Sequence, residues 1–177
     1  KVKIAPNSEL QIIGKRAFSS CEKIQKVTFE TPSSITSIGE RAFEECKSLV
    51  HFEIPPKVTV IEYGTFDSCS KLEKVTIPSS VTKICERAFG RCSSLKQIEF
   101  PSSITSIGKG SFSECSSLEK VNLPSSVASI EKRAFSQCTS LKEIILSSSL
   151  ESISKKVFNK CKSLIKVKMP SSVKSIG

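Results

Sequence analysis

Apolar and polar positions along this chain follow one pattern that repeats about every 23 residues from end to end. Phenylalanine marks the repeat, a cysteine follows three residues later, and a leucine or isoleucine follows three residues after that. The phenylalanines of the series are Phe18, Phe43, Phe66, Phe89, Phe112, Phe135 and Phe158. A period of this length predicts a solenoid, because a single unit cannot bury its own apolar face and must stack on a neighbour.

Each unit combines two shorter periodicities, which the segment from Leu118 to Leu141 shows well. Val121 and Leu123 flank a polar residue, as in a half-buried strand, and Pro124 then ends the strand. Further along, apolar residues recur at intervals of three, which suits a helical turn or a 3₁₀ coil. These residues are Val127, Ile130, Phe135, Cys138 and Leu141. We therefore predict for each unit a short strand, a Pro-Ser-Ser corner, a connector and about two turns of helix, with the strands of stacked units forming a parallel sheet.

The repeated pattern resembles that of the BspA-like leucine-rich repeats, also called the Treponema pallidum type. It reads L-x-x-V-x-I-P-S-S-V-x-x-I-x-x-x-A-F-x-x-C-x-S-L, and residues 72–95 and 95–118 match it almost position for position. The resemblance covers the whole chain. It implies an α/β solenoid with a curved parallel sheet on the concave face and short helices or 3₁₀ turns on the convex face. The commoner repeat class carries an asparagine three residues past the strand, whereas here Ser126 and its equivalents occupy that place.

The length of 177 residues fits one leucine-rich-repeat domain, spanning residues 1–177 with about seven to eight repeats. An apolar fraction of 38% suits an array with one row of core positions and two exposed faces. No hydrophobic run approaches the roughly 20 residues of a membrane span. The chain begins within a predicted strand at Val2 and stops at Gly177, where another unit would continue. We therefore interpret it as a segment of a longer array.

The eight cysteines are spaced in a way that argues against disulfides. Seven recur at one position of the unit, beside Phe and Leu, on the side that we expect to face the core. Their side chains would run parallel on stacked helices, which are usually about 8–10 Å apart and so too far for a bridge. We predict a column of buried free thiols. Cys85 stands at a place where other units carry glycine, and we expect a half-exposed free thiol there.

Two regions depart from the regular unit. The first two units are each two residues longer, with Glu30 and Thr31 as the extra pair in the second. We interpret these insertions as loop bulges at one edge of the solenoid, with an edge contact as the alternative. Residues 50–72 form the least regular unit, in which Pro55-Pro56 replaces Pro-Ser. We interpret this irregularity as drift within a repeat array, with a functional unit as the alternative.

Residues that could carry chemistry are too few for a catalytic site. The single histidine, His51, and the single aspartate, Asp67, lie 16 positions apart in one unit, and we expect them on opposite faces. The sequence contains no glycine-rich phosphate loop, no C-x-x-C pair and no cluster of metal ligands. We therefore predict a non-enzymatic protein with no catalytic residue, no metal site and no cofactor.

The net charge of +10 predicts attraction to acidic partners, such as sulfated glycans, anionic membrane surfaces, acidic proteins or nucleic acid. Nucleic acid is disfavoured, because the aromatic residues that would stack on bases fall almost entirely at core positions. The more informative surface is the predicted concave sheet, whose two outward columns carry mixed charge. From these columns we take as candidate binding residues Lys26, His51, Lys74, Gln97, Glu99, Lys120 and Glu143.

We expect a module that binds a protein partner along the concave face, since one rigid surface can combine many weak contacts. By resemblance, the chain is a cell-surface or secreted protein that functions in adhesion or binds a host or matrix protein. An intracellular structural or scaffold role stays open, and the unpaired cysteines and the lack of an N-x-S/T site favour it. A third hypothesis, which the net charge favours, is that the chain binds acidic glycans or anionic surfaces.

Overall fold

The computed structural model describes residues 1–6 and 8–177, which wind into a solenoid of about eight turns with two rows of short parallel strands. The first row, of three-residue strands, contains β1 Val2–Ile4, β3 Val27–Phe29, β5 His51–Glu53, β7 Lys74–Thr76, β10 Lys120–Asn122, β12 Glu143–Ile145 and β14 Lys166–Lys168. The second row, of two-residue strands, contains β2 Ile12–Ile13, β4 Ser37–Ile38, β6 Val60–Ile61, β8 Lys83–Ile84, β9 Ser106–Ile107, β11 Ser129–Ile130, β13 Ser152–Ile153 and β15 Ser175–Ile176.

The first row confirms the predicted parallel sheet, with equivalent residues of successive units side by side. β5 pairs with β7 so that His51 lies beside Lys74 and Phe52 beside Val75. Between residues 77 and 119 the row narrows to a single bridge from Gln97 to Lys120. The register follows from the strict repeat, because a slip of one residue would turn the apolar positions towards solvent.

The second row corrects the prediction of a connector with helical spacing. Ile130, which is spaced three residues from Val127, lies in β11 and pairs with Ile107 of β9. Isoleucine is β-branched and favours extended backbone, and its buried side chain packs inward while the residue before it faces out. An interval of three apolar residues is therefore also compatible with a corner followed by a strand.

The predicted convex helices are wrong. In the part of the chain that the structure describes there is no α-helix and no 3₁₀-helix. Six consecutive turn residues per unit form instead a third side of the solenoid, which we call the turn wall. It consists of residues 15–20, 40–45, 63–68, 86–91, 109–114, 132–137 and 155–160.

Two residues in each unit of the turn wall lie in the left-handed region, and this interrupts any helix. In one unit these are Arg87, with φ 54°, and Arg91, with φ 56°. Alternate amides then point along the solenoid and donate to the next unit, whereas a helix would use them within itself. The pairs at one interface are Arg87 N to Lys109 O at 3.0 Å, Phe89 N to Ser111 O at 2.8 Å and Arg91 N to Ser113 O at 2.7 Å. The turn wall therefore holds the units together much as a sheet does.

The core contains a single file of stacked phenylalanine rings, one from each unit. Phe66 stacks on Phe89 with ring centroids 5.4 Å apart and planes 6° from parallel, and Phe112 stacks on Phe135 in the same way. From Phe43 to Phe135 the rings of the series are completely buried. The cysteine and leucine columns lie beside them and are equally buried in the middle units. Stacking of units thus buries a continuous apolar core.

The cysteines carry no disulfide, as predicted. Those at positions 46, 69, 92, 115 and 138 are buried, while Cys21 and Cys161 near the ends are half-buried. Cys85 is half-exposed, with its Sγ 3.8 Å from Glu62 Oε2. Burial raises the pKa of the Cys46 thiol to about 12, and it raises the pKa of the other column thiols from Cys69 to Cys161 as well.

The serine corners are more than exposed polar surface. The hydroxyl of Ser126 donates to the carbonyl of Ile104 at 2.6 Å, and Ser103 donates to Val81 at the same distance. Ser80 makes the equivalent bond at 2.7 Å. These serines stand where the commoner repeat class has asparagine, so a ladder of hydroxyl groups joins successive corners here.

Candidate functional site

The outward residues of the first row form the candidate binding face. In β5, exposed and buried side chains alternate, so His51 and Glu53 face solvent while Phe52 is 1% exposed. Phe52 meets the stacked rings of Phe43 and Phe66 edge-on, with centroids 4.9 Å and 4.7 Å away. Such edge-to-face pairs fix ring orientation. The strand that presents His51 is therefore anchored on the stacked rings of the core.

The structure brings three predicted residues together. Lys26 bridges to His51, which in turn pairs with Lys74 in β7, so the three are neighbours on adjacent units. All three line a cavity of about 430 Å³ at the surface of the first row. Its wall also includes Phe29 and Glu53, which adds an apolar ring and a carboxylate. Cationic, aromatic, imidazole and anionic groups therefore converge on one concavity.

Sequence reasoning missed part of the lining of this cavity. Thr31, from the two-residue insertion, lines it, and so do Pro55 and Pro56 of the irregular unit. The sequence favours a bulge for the insertion and drift for the irregular unit, with an edge contact and a functional unit as the alternatives, and both departures border the same concavity. The coincidence of an insertion in one unit with an irregularity in the next was the available signal.

A second, smaller cavity of about 140 Å³ adjoins the first and shares Lys74 and Thr76 with it. The predicted residues Gln97 and Glu99 line this second cavity. It lies where the first row narrows between residues 77 and 119, so backbone pairing is interrupted beside it. Five of the seven predicted residues thus fall on one continuous concave surface.

The other two predicted residues, Lys120 and Glu143, lie further along the row and line neither cavity. Glu143 accepts from Lys166 at 3.0 Å and from Lys120 at 3.2 Å, on the strands to either side. Both hydrogen bonds lower the pKa of Glu143, and the one from Lys166 has the larger effect. The Glu143 carboxylate is already paired with two lysines, so it is less available to a binding partner than the unpaired side chains around His51 are.

Electrostatics differ between the two ends of the face. Among residues 1–6 and 8–177, Lys26, Lys74, Glu53 and Glu99 have no ion-pair partner within 4.0 Å. Exposed ion pairs contribute little to stability, so these unpaired charges cost the fold little and remain available to a partner. The surface near His51 is thus the more suitable end for binding a molecule with charges of both signs.

The described part of the chain brings together no group of three or more His, Cys, Asp or Glu residues that could hold a metal ion. His51 is exposed on the first row, while Asp67 lies buried in the turn wall. Residues 1–6 and 8–177 contain no helix that is long and apolar enough to cross a bilayer.

Comparison with known proteins identifies the repeat. The BspA type leucine rich repeat region matches in six copies, over residues 2–105 and 60–177. A leucine-rich repeat protein from Bacteroides ovatus is 34% identical, with a TM-score of 0.91, over 99% of this chain and 47% of that one. The leucine-rich repeat protein of T. pallidum is 32% identical, with a TM-score of 0.76, over 84% of this chain and 70% of that one. This chain therefore spans about half the length of the Bacteroides protein.

A more distant likeness extends to the pneumococcal vaccine antigen PcpA, which is 18% identical with a TM-score of 0.64, over 99% of this chain and 62% of that one. At this identity the likeness concerns the fold alone. No curated protein matches the chain. The stacked 23-residue units, the two strand rows and the matched repeats together show that the chain belongs to the BspA-type leucine-rich repeat family.

Proposed function

We propose that this chain is a non-enzymatic module that binds a protein partner through the concave surface around His51. Leucine-rich repeat proteins are generally protein-interaction modules. The observation that carries the proposal is the continuous concavity lined by Lys26, His51, Lys74, Gln97 and Glu99. Phe29 and the proline pair supply apolar contact area beside these polar groups, and protein interfaces combine an apolar core with a polar rim.

The proposed setting is the cell surface or the extracellular space, and the proposed partner is a host or matrix protein. Members of this family are often surface or secreted proteins. The mixed charge around His51 fits a protein better than a polyanion, because Glu53 and Glu99 would repel a uniformly negative ligand.

The test measures binding to immobilised fibronectin, laminin and fibrillar collagen by surface plasmon resonance. In the variant Lys26→Ala/Lys74→Ala we expect the affinity to fall by about tenfold or more, since central contacts dominate binding energy. His51→Ala, measured separately, removes the residue between the two lysines. A matched control, Lys132→Ala/Lys162→Ala, removes the same charge from exposed positions outside this surface.

Equal weakening in the control would mean that overall charge, and not this surface, governs binding. Failure of the unmodified chain to bind any of the three proteins would count against a matrix partner. The control also keeps net charge constant between the two double variants, so that a loss confined to one of them locates the interface.

A further inference from the structure

The turn wall carries a column of basic residues that is interrupted at two places. The first left-handed position of each unit is basic in five units and glycine in two. In chain order the column contains Arg16, Arg41, Gly64, Arg87, Gly110, Arg133 and Lys156, with φ between 54° and 60°. All seven share one backbone conformation, so the two glycines differ from their neighbours only in the missing side chain.

The gap at Gly64 is closed by its neighbours. A Cβ at Gly64 would lie 3.1 Å from Cγ of Arg41, whose guanidinium lies over the Tyr63 ring with Cζ 4.8 Å from the centroid. Arg41 Nη2 also donates to Tyr63 Oη at 3.0 Å, and Arg41 Nε lies 3.3 Å from Glu44 Oε1. Arg41 is thus fixed across the gap by Tyr63, and its charge is paired with Glu44.

The gap at Gly110 is open. A Cβ there would have only ordinary contacts, the nearest being Ser113 Oγ at 3.4 Å and Arg87 Cγ at 4.0 Å. A cavity of about 500 Å³ extends from this point along the wall, flanked by Arg87 and Arg133 and reaching Lys160. We call it the Gly110 notch. Ser113 and Ser136 also line it.

The charges around the Gly110 notch are unbalanced. Both of its carboxylates are paired, Glu86 with Lys109 at 2.9 Å and Glu114 with Arg91 at 3.6 Å. The three remaining cations have no carboxylate within 4.0 Å among the residues that the structure describes; they are Arg87, Arg133 and Lys160. The buried carboxylate of Asp67 interacts electrostatically with Arg87 and reduces the positive potential there, but it does not form an ion pair with Arg87.

We propose that the Gly110 notch binds a tetrahedral oxyanion, the phosphate or sulfate group of a larger ligand. Arg87 and Arg133 belong to units two apart, which places their backbones roughly 10 Å from each other at about 4.8 Å per unit. A small oxyanion fits between two such side chains and can accept from both guanidinium groups, which match the geometry of phosphate oxygens. Ser113, whose Oγ would lie 3.4 Å from a Cβ at Gly110, offers a third donor. A tetrahedral group has oxygens directed to all three sides, whereas a planar carboxylate has only two.

The test is a titration followed by ¹H–¹⁵N NMR, with inorganic phosphate, inorganic sulfate and acetate at constant ionic strength. We expect saturable shifts of the Gly110 and Ser113 amides and of the Arg87 and Arg133 Nε–H groups. Acetate should bind at least about tenfold more weakly. Phosphate and sulfate as separate arms show which ester the notch prefers, and saturation by either supports the proposal.

Two variants of the notch give independent tests. Gly110→Gln fills the space without adding charge, at a position whose equivalents accept long side chains at the same φ. Arg87→Gln/Arg133→Gln leaves the notch open and removes the charge. Both should abolish the saturable shifts, and the second test stands even if Gly110→Gln folds poorly.

The control Arg16→Gln/Lys156→Gln removes two charges from the same column, at residues that do not line the notch. It should bind phosphate as the unmodified chain does, and so should Lys26→Ala/Lys74→Ala on the other face. Equal loss in this control and in Arg87→Gln/Arg133→Gln, unchanged binding in Gly110→Gln, or shifts that never saturate would each overturn the proposal.

Discussion

The thiol of Cys92 donates a hydrogen bond to the backbone carbonyl of Phe66 in the preceding unit, with Sγ and O 3.2 Å apart. The same carbonyl accepts from the amide of Cys69 in its own unit at 3.1 Å, so both lone pairs of a buried oxygen are used. The contact recurs in Cys46–Phe18, Cys69–Phe43, Cys115–Phe89, Cys138–Phe112 and Cys161–Phe135. Cysteine thus combines apolar packing with a donor that alanine or valine lacks.

Replacing Cys92 by alanine should destabilise the protein by about 2 kcal/mol, from a lost hydrogen bond and a small cavity. Urea unfolding followed by circular dichroism measures the change. Cys85→Ala is the matched control, because that thiol is half-exposed and outside the column, and it should stay within about 0.5 kcal/mol. Equal effects of the two substitutions would contradict a structural role for the thiol ladder.

All eight thiols should be free, and in the folded protein most of them should be protected from thiol reagents. We expect eight to react with a thiol reagent after denaturation without reductant. In the native state at pH 7.5 the buried column should react slowly, since burial raises the pKa of these thiols and leaves little thiolate. Cys85 should be more accessible, although burial and Glu62 also raise its pKa. A count below eight would show an unexpected disulfide.

Replacing Gly108 by alanine should cost about 1–3 kcal/mol. A Cβ there would lie 2.6 Å from the backbone carbon of Cys85 and 2.8 Å from the amide nitrogen of Glu86. Gly14 holds the same position of the repeat, yet an added Cβ would meet none of the described residues within 4 Å. Gly14→Ala is therefore the control, and it should be neutral or slightly stabilising in the same thermal melt. Similar melting temperatures for both variants would refute the close approach at Gly108.

Replacing Phe112 by alanine should cost about 3–5 kcal/mol, because it removes a buried ring from the middle of the stack. Phe112 lies 5.2 Å from Phe89 and 5.4 Å from Phe135, centroid to centroid. Phe158 is half-buried near the end of the array and lies 6.4 Å from its one stacked neighbour. Phe158→Ala should consequently cost clearly less in urea unfolding, and the reverse order would contradict this account of the core.

Replacing Asp67 by asparagine should stabilise the protein at neutral pH. The Asp67 side chain is buried, its Oδ1 lacks a hydrogen-bond partner, and burial raises its pKa against the attraction of Arg87 and Arg91. The charged form of Asp67 therefore opposes folding. This free-energy cost is absent below pH 3.8 and grows as the pH rises towards the raised pKa of Asp67 in the folded protein. Relief of about 1 kcal/mol corresponds to roughly 2–4 °C in melting temperature.

The pH dependence separates charge from packing at Asp67. The difference in melting temperature between Asp67→Asn and the unmodified chain should be largest at pH 7 and shrink towards pH 3. Gly90 keeps the space for the carboxylate, because a Cβ there would lie 2.7 Å from Oδ1 of Asp67. A lower melting temperature of the variant at pH 7 would mean that the arginines more than compensate for burial.

The candidate site was partly predictable because position in a repeat translates directly into position on a column. Lys26, His51 and Lys74 occupy one place in successive units, and parallel pairing in register makes them neighbours. The cavity beside them was not predictable, because the sequence does not say in which direction Thr31 and Pro55 turn. Nor does it distinguish the paired Glu143 from the unpaired Glu99, since both are outward residues of the first row.

The amino-acid sequence by itself determined the period of this protein, the residues of its core columns and the strands of the first row, since burial in a repeat follows local spacing. Only the tertiary structure decided the path of the turn wall. There the amide of Phe89 bonds to Ser111 in the next unit, and such a partner leaves no mark on local periodicity. Tertiary structure also decided that Gly64 is covered while Gly110 lies open. That difference depends on where Arg41 finds a ring and a carboxylate, and both are contacts made only after the chain has folded.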